Sequence, residues 1–399
     1  MLSQRALSLK TSPTLFLVAK AKELAAQGHD VLSLTVGEPD WATFPPICQA
    51  GIEAIQKGIT KYTPANGTIE LRQLICKQLK RDFGFEYQAK EITVASGAKF
   101  VIFAALQMLC NEGDEVIISA PYWVSYPTMI ELAGGKPVVI DCGPQEMFKV
   151  TAAQLEKAIT PKTKAFLFCS PSNPTGLVYS KQELKEIADV LKKNPHVVVI
   201  SDDMYNRLMF DGTKLAPHIL DVAPELKDRT VIVNGGSKTY AMTGWRIGWA
   251  AGPEKLIKAM GDYQSQSTGS PSSISQYAAQ VALTDCEKNI EQVVHVLLER
   301  KNLAIEEFKK VPELKLYIPD GAFYLWVDLQ QVIGREHKGQ KIQNSKDFCD
   351  ILLNQYFVAT VPGSECGSEG YMRLSFACST ETMQRAIARM KEFISNMSK

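Results

Sequence analysis

The sequence carries almost no net charge. Lys and Arg number 44 against 43 Asp and Glu, a formal balance of +1, so no overall field draws the chain to nucleic acid or to an anionic membrane. Cysteines number nine but are scattered, and the nearest two, Cys366 and Cys378, stand twelve positions apart. There is no CxxC, and the five histidines form no HExxH. These absences argue against a metal site and a disulfide scaffold. The thiols read as small core residues in a reducing compartment, with the cytoplasm as the expected location. No apolar run approaches membrane-spanning length, and Thr14–Ala19 is too short for the core of a secretory leader. Repeats and low-complexity stretches are missing too. What is present is 399 residues, 45% hydrophobic and 22% charged, enough for about two domains with a large core.

Organisation has to come from the order of elements. From residue 92 onward, short apolar runs read as strands: Ile92–Ser96, Glu115–Ser119, Ala165–Ser170, Val197–Ser201 and Thr230–Asn234. Helices alternate with them. Ala98–Cys110 is one, and Ser180-Lys181-Gln182-Glu183 is a capping box ahead of Leu184, Ile187, Ala188 and Leu191 at helical spacing. Thr151–Gln154 opens another helix in the same way. Strand–helix–strand units of this length need right-handed crossovers and make their strands parallel, so the middle of the chain is an α/β layer fold. The ends differ. A long helix over Ile290–Val311, strands at Ala322–Leu329 and Met372–Ala377, and a last helix with Met383, Ala386, Ile387, Met390, Phe393, Ile394 and Met397 on one face suggest a smaller α+β domain. The expected division is residues 1–44 with the small domain, 45–288 as the large domain and 289–399 completing the small one. A cleft between two such lobes is a usual ligand site.

In a parallel α/β sheet, ligands bind beyond the carboxyl ends of the strands. Gly97-Ala98-Lys99 follows the first strand and starts a helix, which suits a phosphate, although an ordinary strand–helix turn reads the same way. Pro171-Ser172-Asn173-Pro174 holds an amide between two prolines, or is a plain turn. Asp202 ends a buried strand, where an acid needs a cationic partner, unless it merely caps a helix. Lys238 follows Gly235-Gly236-Ser237, and a lone lysine is usually solvated surface. Together the four strand ends supply an anion cradle, an amide, an acid and a lysine. Pyridoxal phosphate requires this combination: a lysine for its Schiff base, an acid at its ring nitrogen and donors for its phosphate.

The chain resembles the class I aminotransferases among fold-type-I pyridoxal-phosphate enzymes, in particular the bacterial aspartate aminotransferase branch called Iβ. The resemblance spans nearly the whole sequence through Val36–Asp40, Lys61–Pro64, Pro121–Pro127, Ser170–Gly176, Ser201–Tyr205, Ser237-Lys238, Met242–Gly248 and Met372–Ser375. It implies a large domain with a mostly parallel sheet and a small domain built from both chain ends. It also implies roles for individual residues. Lys238 would carry the cofactor and shuttle the substrate proton, and Asp202 would pair with the ring nitrogen. Tyr205 and Asn173 would bond the phenolic oxygen, while Trp123 would stack on the ring. Gly97, Ala98, Ser237 and Arg246 would hold the phosphate, with Tyr62 reaching across from a second subunit of a homodimer. Arg373 would fork the substrate α-carboxylate, helped by Gly37 and Asn173; without the resemblance Arg373 reads as an edge-strand ion pair and Trp123 as core.

Three positions depart from the family pattern. Gly235 stands where a phosphate-binding serine is frequent, Asp203 where Glu is commoner, and Thr68 in a variable loop. Lys99 occupies the place implied for binding a distal substrate carboxylate, with Ser12 and Thr14 in a segment closing over the site. The expected reaction is therefore transfer of an amino group from L-aspartate to 2-oxoglutarate, with amino acids and 2-oxo acids as the only partners besides a second copy. Lys10 and Thr63 fall in segments implied to line a pocket for prephenate or aromatic substrates, the first alternative. A C–S β-lyase or an aminocyclopropane-carboxylate-type synthase on the same fold is the second. A transcriptional regulator borrowing the fold is the third, but it would add an N-terminal DNA-binding module and a basic surface.

Overall fold

A computed structural model describes residues 1–3, 6, 7, 9 and 11–398. Its centre is a seven-stranded sheet of β1 (Ile92–Ala95), β2 (Glu115–Ala120), β3 (Lys136–Asp141), β4 (Thr163–Cys169), β5 (Val198–Asp202), β6 (Thr230–Gly235) and β7 (Gly248–Ala251). The spatial order is β1-β7-β6-β5-β4-β2-β3. Pairings from β6 through β3 are parallel, and β7 alone runs against its two neighbours. Helices cover the sheet, so the inner strands are buried on both faces. Val199 and Ile200 of β5, and Val231 and Val233 of β6, are all inaccessible to solvent, as continuous β-branched runs in parallel strands require.

The expected capping boxes form. Ser180 Oγ accepts from Glu183 N and Glu183 Oε2 accepts from Ser180 N, starting helix Lys181–Lys193. Thr151 and Gln154 do the same for Ala152–Ala158.

Two strands of the sheet escaped the sequence reading, for different reasons. β3 contains Pro137, which normally argues against a strand, but β3 is the sheet edge, where a missing N–H costs nothing. The four-residue β7, Gly-Trp-Ala-Ala, has no β-branched residue, so its propensity signal is weak. Boundaries also shift: β5 ends on Asp202 and β6 on Gly235, and the long helix covers Glu287–Phe308 rather than Ile290–Val311. Met397 is a correction. The last helix stops at Ser395, and Met397 pairs with His337 in a short antiparallel strand.

The C-terminal part holds a four-stranded antiparallel sheet with Tyr371–Ser375 and Tyr324–Asp328 at its centre, flanked by Val361–Pro362 and Lys315–Tyr317. The N-terminal segment joins it. Leu32–Ser33 pairs in parallel with Val358–Ala359, and Ser375 N donates to Leu34 O. Asp40 then forms a two-pronged ion pair with Arg300 of the long helix, at 2.7 and 3.0 Å.

Candidate active site

The residues following β1, β2, β4, β5 and β6 emerge at one edge of the sheet. Because β7 runs the opposite way, the residues preceding it emerge there as well, which brings Arg246 beside Gly97. One cleft of about 380 Å³ collects Ser12, Thr14, Gly37, Ala98, Lys99, Trp123, Asn173, Asp202, Tyr205, Ser237, Lys238, Arg246 and Arg373. Of the residues singled out from sequence, Gly97 lies directly behind this wall. Tyr62 stands apart, with its side chain in solvent (99% exposed). Of the pair expected to line an aromatic pocket, Lys10 lies outside the described residues and Thr63 is bonded instead to Gln276 Nε2, at 2.9 Å.

The end of the cleft beside Arg246 is kept open by glycine. Gly97 has φ +94°, and a Cβ there would lie 2.7 Å from a terminal nitrogen of Arg246. A Cβ on Gly248 would collide with the backbone nitrogen of Ala98. Helix Ala98–Leu109 begins at this point with no side-chain cap, so its first N–H groups are available to an anion. Arg246 itself has positive φ, and its guanidinium donates to Thr243 O at 2.9 Å.

Gly235 is explained by packing. It ends β6 opposite Gly248, and a Cβ would sit 2.8 Å from Ile247 O and 2.9 Å from Gly248 Cα. A serine does not fit there without displacing that backbone, whereas Ser237 is buried and lines the cleft. The other departures lie off the cleft. Asp203 accepts from Ser201 Oγ at 2.6 Å and faces His218 Nε2 at 3.3 Å. Thr68 caps helix Ile69–Phe83.

At the cleft floor, Lys238 Nζ donates to Gly37 O at 2.5 Å. Burial lowers its pKa to about 8, with Arg373 and Arg246 acting in the same direction and Glu38 and Asp202 opposing. An amine in that range is a competent base and nucleophile near neutral pH. Asp202 is 5% exposed and its pKa is pushed up to about 6, mainly by burial and further by Asp203; the hydrogen bond from Tyr126 Oη at 2.6 Å opposes this. A buried carboxylate so destabilised fits a cationic ring nitrogen.

Asp202 also yields a prediction for the cofactor-free protein. Its folded pKa lies above the unfolded value of 3.8, so the native state holds the extra proton between about pH 4 and 6, and stability falls as pH rises through that window. The loss is about 3 kcal/mol. Relative to Asp202→Asn, wild type should lose this amount between pH 4 and 7 in chemical denaturation. A difference independent of pH would refute the assignment.

Arg373 is 2% exposed. It is not at a sheet edge, since its strand is paired on both sides, and its partners are neutral: Asn173 Oδ1 at 2.8 Å and Thr35 O at 2.6 Å. Among the described residues its Nε has no partner. A buried guanidinium that lines a cleft, is held by two neutral acceptors and has N–H donors to spare fits an incoming carboxylate. The edge-strand ion pair is thereby excluded. Lys99 also lines the cleft but is more open to solvent. Partial burial and the nearby Arg246 lower its pKa, and its Nζ lies 4.9 Å from the centre of the Trp123 ring.

Residues 29–390 match the model of the family described as aminotransferase class I and II. The chain belongs to that family. It is 46% identical to the aspartate/prephenate aminotransferase of Nitrosomonas europaea, over 99% of this chain and 100% of the relative. Identity to the aspartate aminotransferase of Geobacillus stearothermophilus is 43%, over 98% of each. Among solved structures, the aspartate aminotransferase of Rhizobium meliloti superposes with a TM-score of 0.96 at 40% identity, covering 100% of both chains. That of Thermus thermophilus with maleate superposes with a TM-score of 0.92 at 37% identity, covering 98% and 99%. The fold is that of the fold-type-I pyridoxal-phosphate transferases, and the aminotransferase uses pyridoxal 5′-phosphate. The glycine-lined anion cradle, the buried acid and the depressed lysine fit that group.

Among the residues lining the aminotransferase cleft that were given no role from sequence are Glu38, Tyr126, Thr243 and Tyr324. Tyr126 follows a strand end, three positions after Trp123, and strand-end reasoning alone could have flagged it. Thr243 Oγ1 donates to Glu38 and so ties the N-terminal segment to the loop before β7. Tyr324 reads in sequence as one aromatic of an apolar strand, and no local pattern distinguishes it.

Proposed function

We propose that the enzyme transfers the amino group of L-aspartate to 2-oxoglutarate in two half-reactions, releasing oxaloacetate and then glutamate. The observation that carries this reading is a pair of cations with no acidic partner among the described residues, the buried Arg373 and the more exposed Lys99, lining one cleft with the amine of Lys238. A dicarboxylate answers both, because each cation gains a charge-assisted hydrogen bond and Arg373 regains part of what burial costs it.

In this mechanism Arg373 grips the α-carboxylate through its fork, with Asn173 and Thr35 fixing the guanidinium plane, and Lys99 takes the distal carboxylate. Bound pyridoxal phosphate supplies an electron-withdrawing ring conjugated to the substrate nitrogen, which acidifies Cα. Gly97, Ala98, Ser237 and Arg246 would hold its phosphate. Asp202 would hold its ring nitrogen, Tyr205 and Asn173 its phenolic oxygen, and Trp123 its face. Lys238 Nζ, neutral in a useful fraction near pH 8, removes the proton from Cα. Ser12 and Thr14, on the N-terminal side of the cleft, help to exclude water; the Ser12 hydroxyl is not spent on capping its helix.

Lys99 provides the test. Replacement by alanine should lower kcat/KM for aspartate about 30-fold, the worth of one charge-assisted hydrogen bond, and change kcat/KM for alanine little. A wild-type enzyme that prefers alanine or an aliphatic donor would contradict the acidic-substrate reading. Pyruvate released without consumption of a 2-oxo acid would point to a lyase.

Prephenate is the second reading. The cleft continues through Ser12, Lys99, Val124 and Ser125 into a groove of about 620 Å³, giving room for a ring, and relatives such as that of Nitrosomonas europaea carry both substrates in their names.

The working unit in this reading is a homodimer. Tyr62 is too exposed to serve its own cleft, and Ile52, Ile55 and Ile69 add exposed apolar surface from the same part of the chain. Residues 1–44 and 289–399 would act as one lobe against 45–288. All nine cysteines are free, which suits a reducing cytoplasm, and among the described residues no helix is long and apolar enough to cross a membrane.

A further inference from the structure

Tyr324 is fully buried at the centre of the C-terminal sheet, yet it lines the cleft. Three contacts meet on it. Its Oη lies 2.7 Å from Tyr205 Oη, and either oxygen can donate. Its ring lies beneath the Arg373 guanidinium, 4.6 Å from centroid to Cζ. Its hydroxyl also fills the space a side chain on Gly37 would need, and Gly37 is the residue whose carbonyl receives Lys238.

We infer that Tyr324 is a positioning residue that couples the carboxylate fork to the cofactor-facing phenol, its ring supporting Arg373 and its hydroxyl orienting that of Tyr205. This inference rests on the aminotransferase reading above. With an acceptor in front of Tyr205, the Tyr205 proton turns toward that acceptor, and the shared bond must then be donated by Tyr324. A phenol that accepts one hydrogen bond becomes a stronger donor of the next. The ring acts separately. A desolvated guanidinium over an aromatic face is held by the ring quadrupole, which fixes the plane of Arg373 before any carboxylate arrives. The packing around Tyr324 makes this arrangement rigid. Phe323 and Tyr205 meet edge-on at 5.5 Å, as do Tyr205 and Tyr324 at 5.6 Å.

The two functions separate by substitution. Tyr324→Phe keeps the ring and removes the hydroxyl, while Tyr324→Leu removes both. The readouts are the pH midpoint of the holoenzyme's visible band and the affinity for succinate, a dicarboxylate with no amino group. A donor to the phenolic oxygen competes with a proton for it, so weakening Tyr205 as a donor raises the midpoint. Tyr324→Phe should move it up by about half a pH unit and leave succinate affinity within about twofold. Tyr324→Leu should show the same midpoint shift and bind succinate about 10-fold more weakly. A wild-type midpoint in Tyr324→Phe, or equal losses of succinate affinity in both variants, would overturn the inference. A wild-type protein with no visible band would instead overturn the cofactor reading beneath it.

Discussion

Replacing Lys238 by alanine is expected to cut turnover by at least about 10⁴-fold, the upper range for loss of a positioned proton-transfer group, and to abolish the visible band of the lysine-linked cofactor. Nζ sits on the cleft floor against Gly37 O, and burial lowers its pKa to about 8, where proton transfer is most effective at neutral pH. Lys99, the other lysine of the cleft, lies over Trp123 and faces Arg246, so it is not placed to substitute. The variant should keep the wild-type circular dichroism spectrum, because the change removes a desolvated cation rather than a packed side chain. Turnover within tenfold of wild type would exclude Lys238 as the base.

The same variant tests subunit sharing. Mixed with Tyr62→Ala and allowed to exchange subunits, it forms hybrids in which one site carries both defects and the other neither. About a quarter of wild-type activity should return. If Tyr62 served its own subunit, both hybrid sites would be defective and none would return.

Arg373→Ala carries the second large effect. Two charge-assisted hydrogen bonds to a carboxylate are together worth roughly 3–6 kcal/mol, so kcat/KM for aspartate should fall by about 10³-fold or more. The loss also strands Asn173 Oδ1 and Thr35 O, which now accept from the guanidinium. Arg373→Lys should recover only a minor part, since an ammonium cannot span both neighbours and a carboxylate at once. Steady-state kinetics with aspartate and 2-oxoglutarate decide this. Lysine restoring activity to within threefold would mean that charge alone, and not the fork, is being read.

The strand-end rule found Asn173, Asp202 and Lys238 because parallel strands deliver their last residues to one edge. It gave no reason for Arg246 to join them: the reason is β7, whose reversed direction brings the start of a strand to the edge where the others end. The Gly235 substitution read as a missing phosphate donor, but the cause is steric and lies in the pairing with Gly248. Arg373 was ambiguous until the pairing on both sides of its strand excluded an edge. Tyr324 was invisible, because an aromatic in an apolar strand looks like core, and its position under Arg373 depends on residues far apart in the chain. Local pattern thus reported what each strand end offers. Register and close approach, which are long-range, decided what meets there.

Amino transfer is seen in isolation in a single half-reaction, with purified holoenzyme mixed with L-aspartate and no 2-oxo acid. The account predicts loss of the visible band together with release of one oxaloacetate per site, and return of the band when 2-oxoglutarate is added. A band that persists in saturating aspartate, or product that accumulates beyond one per site without any acceptor, would contradict it.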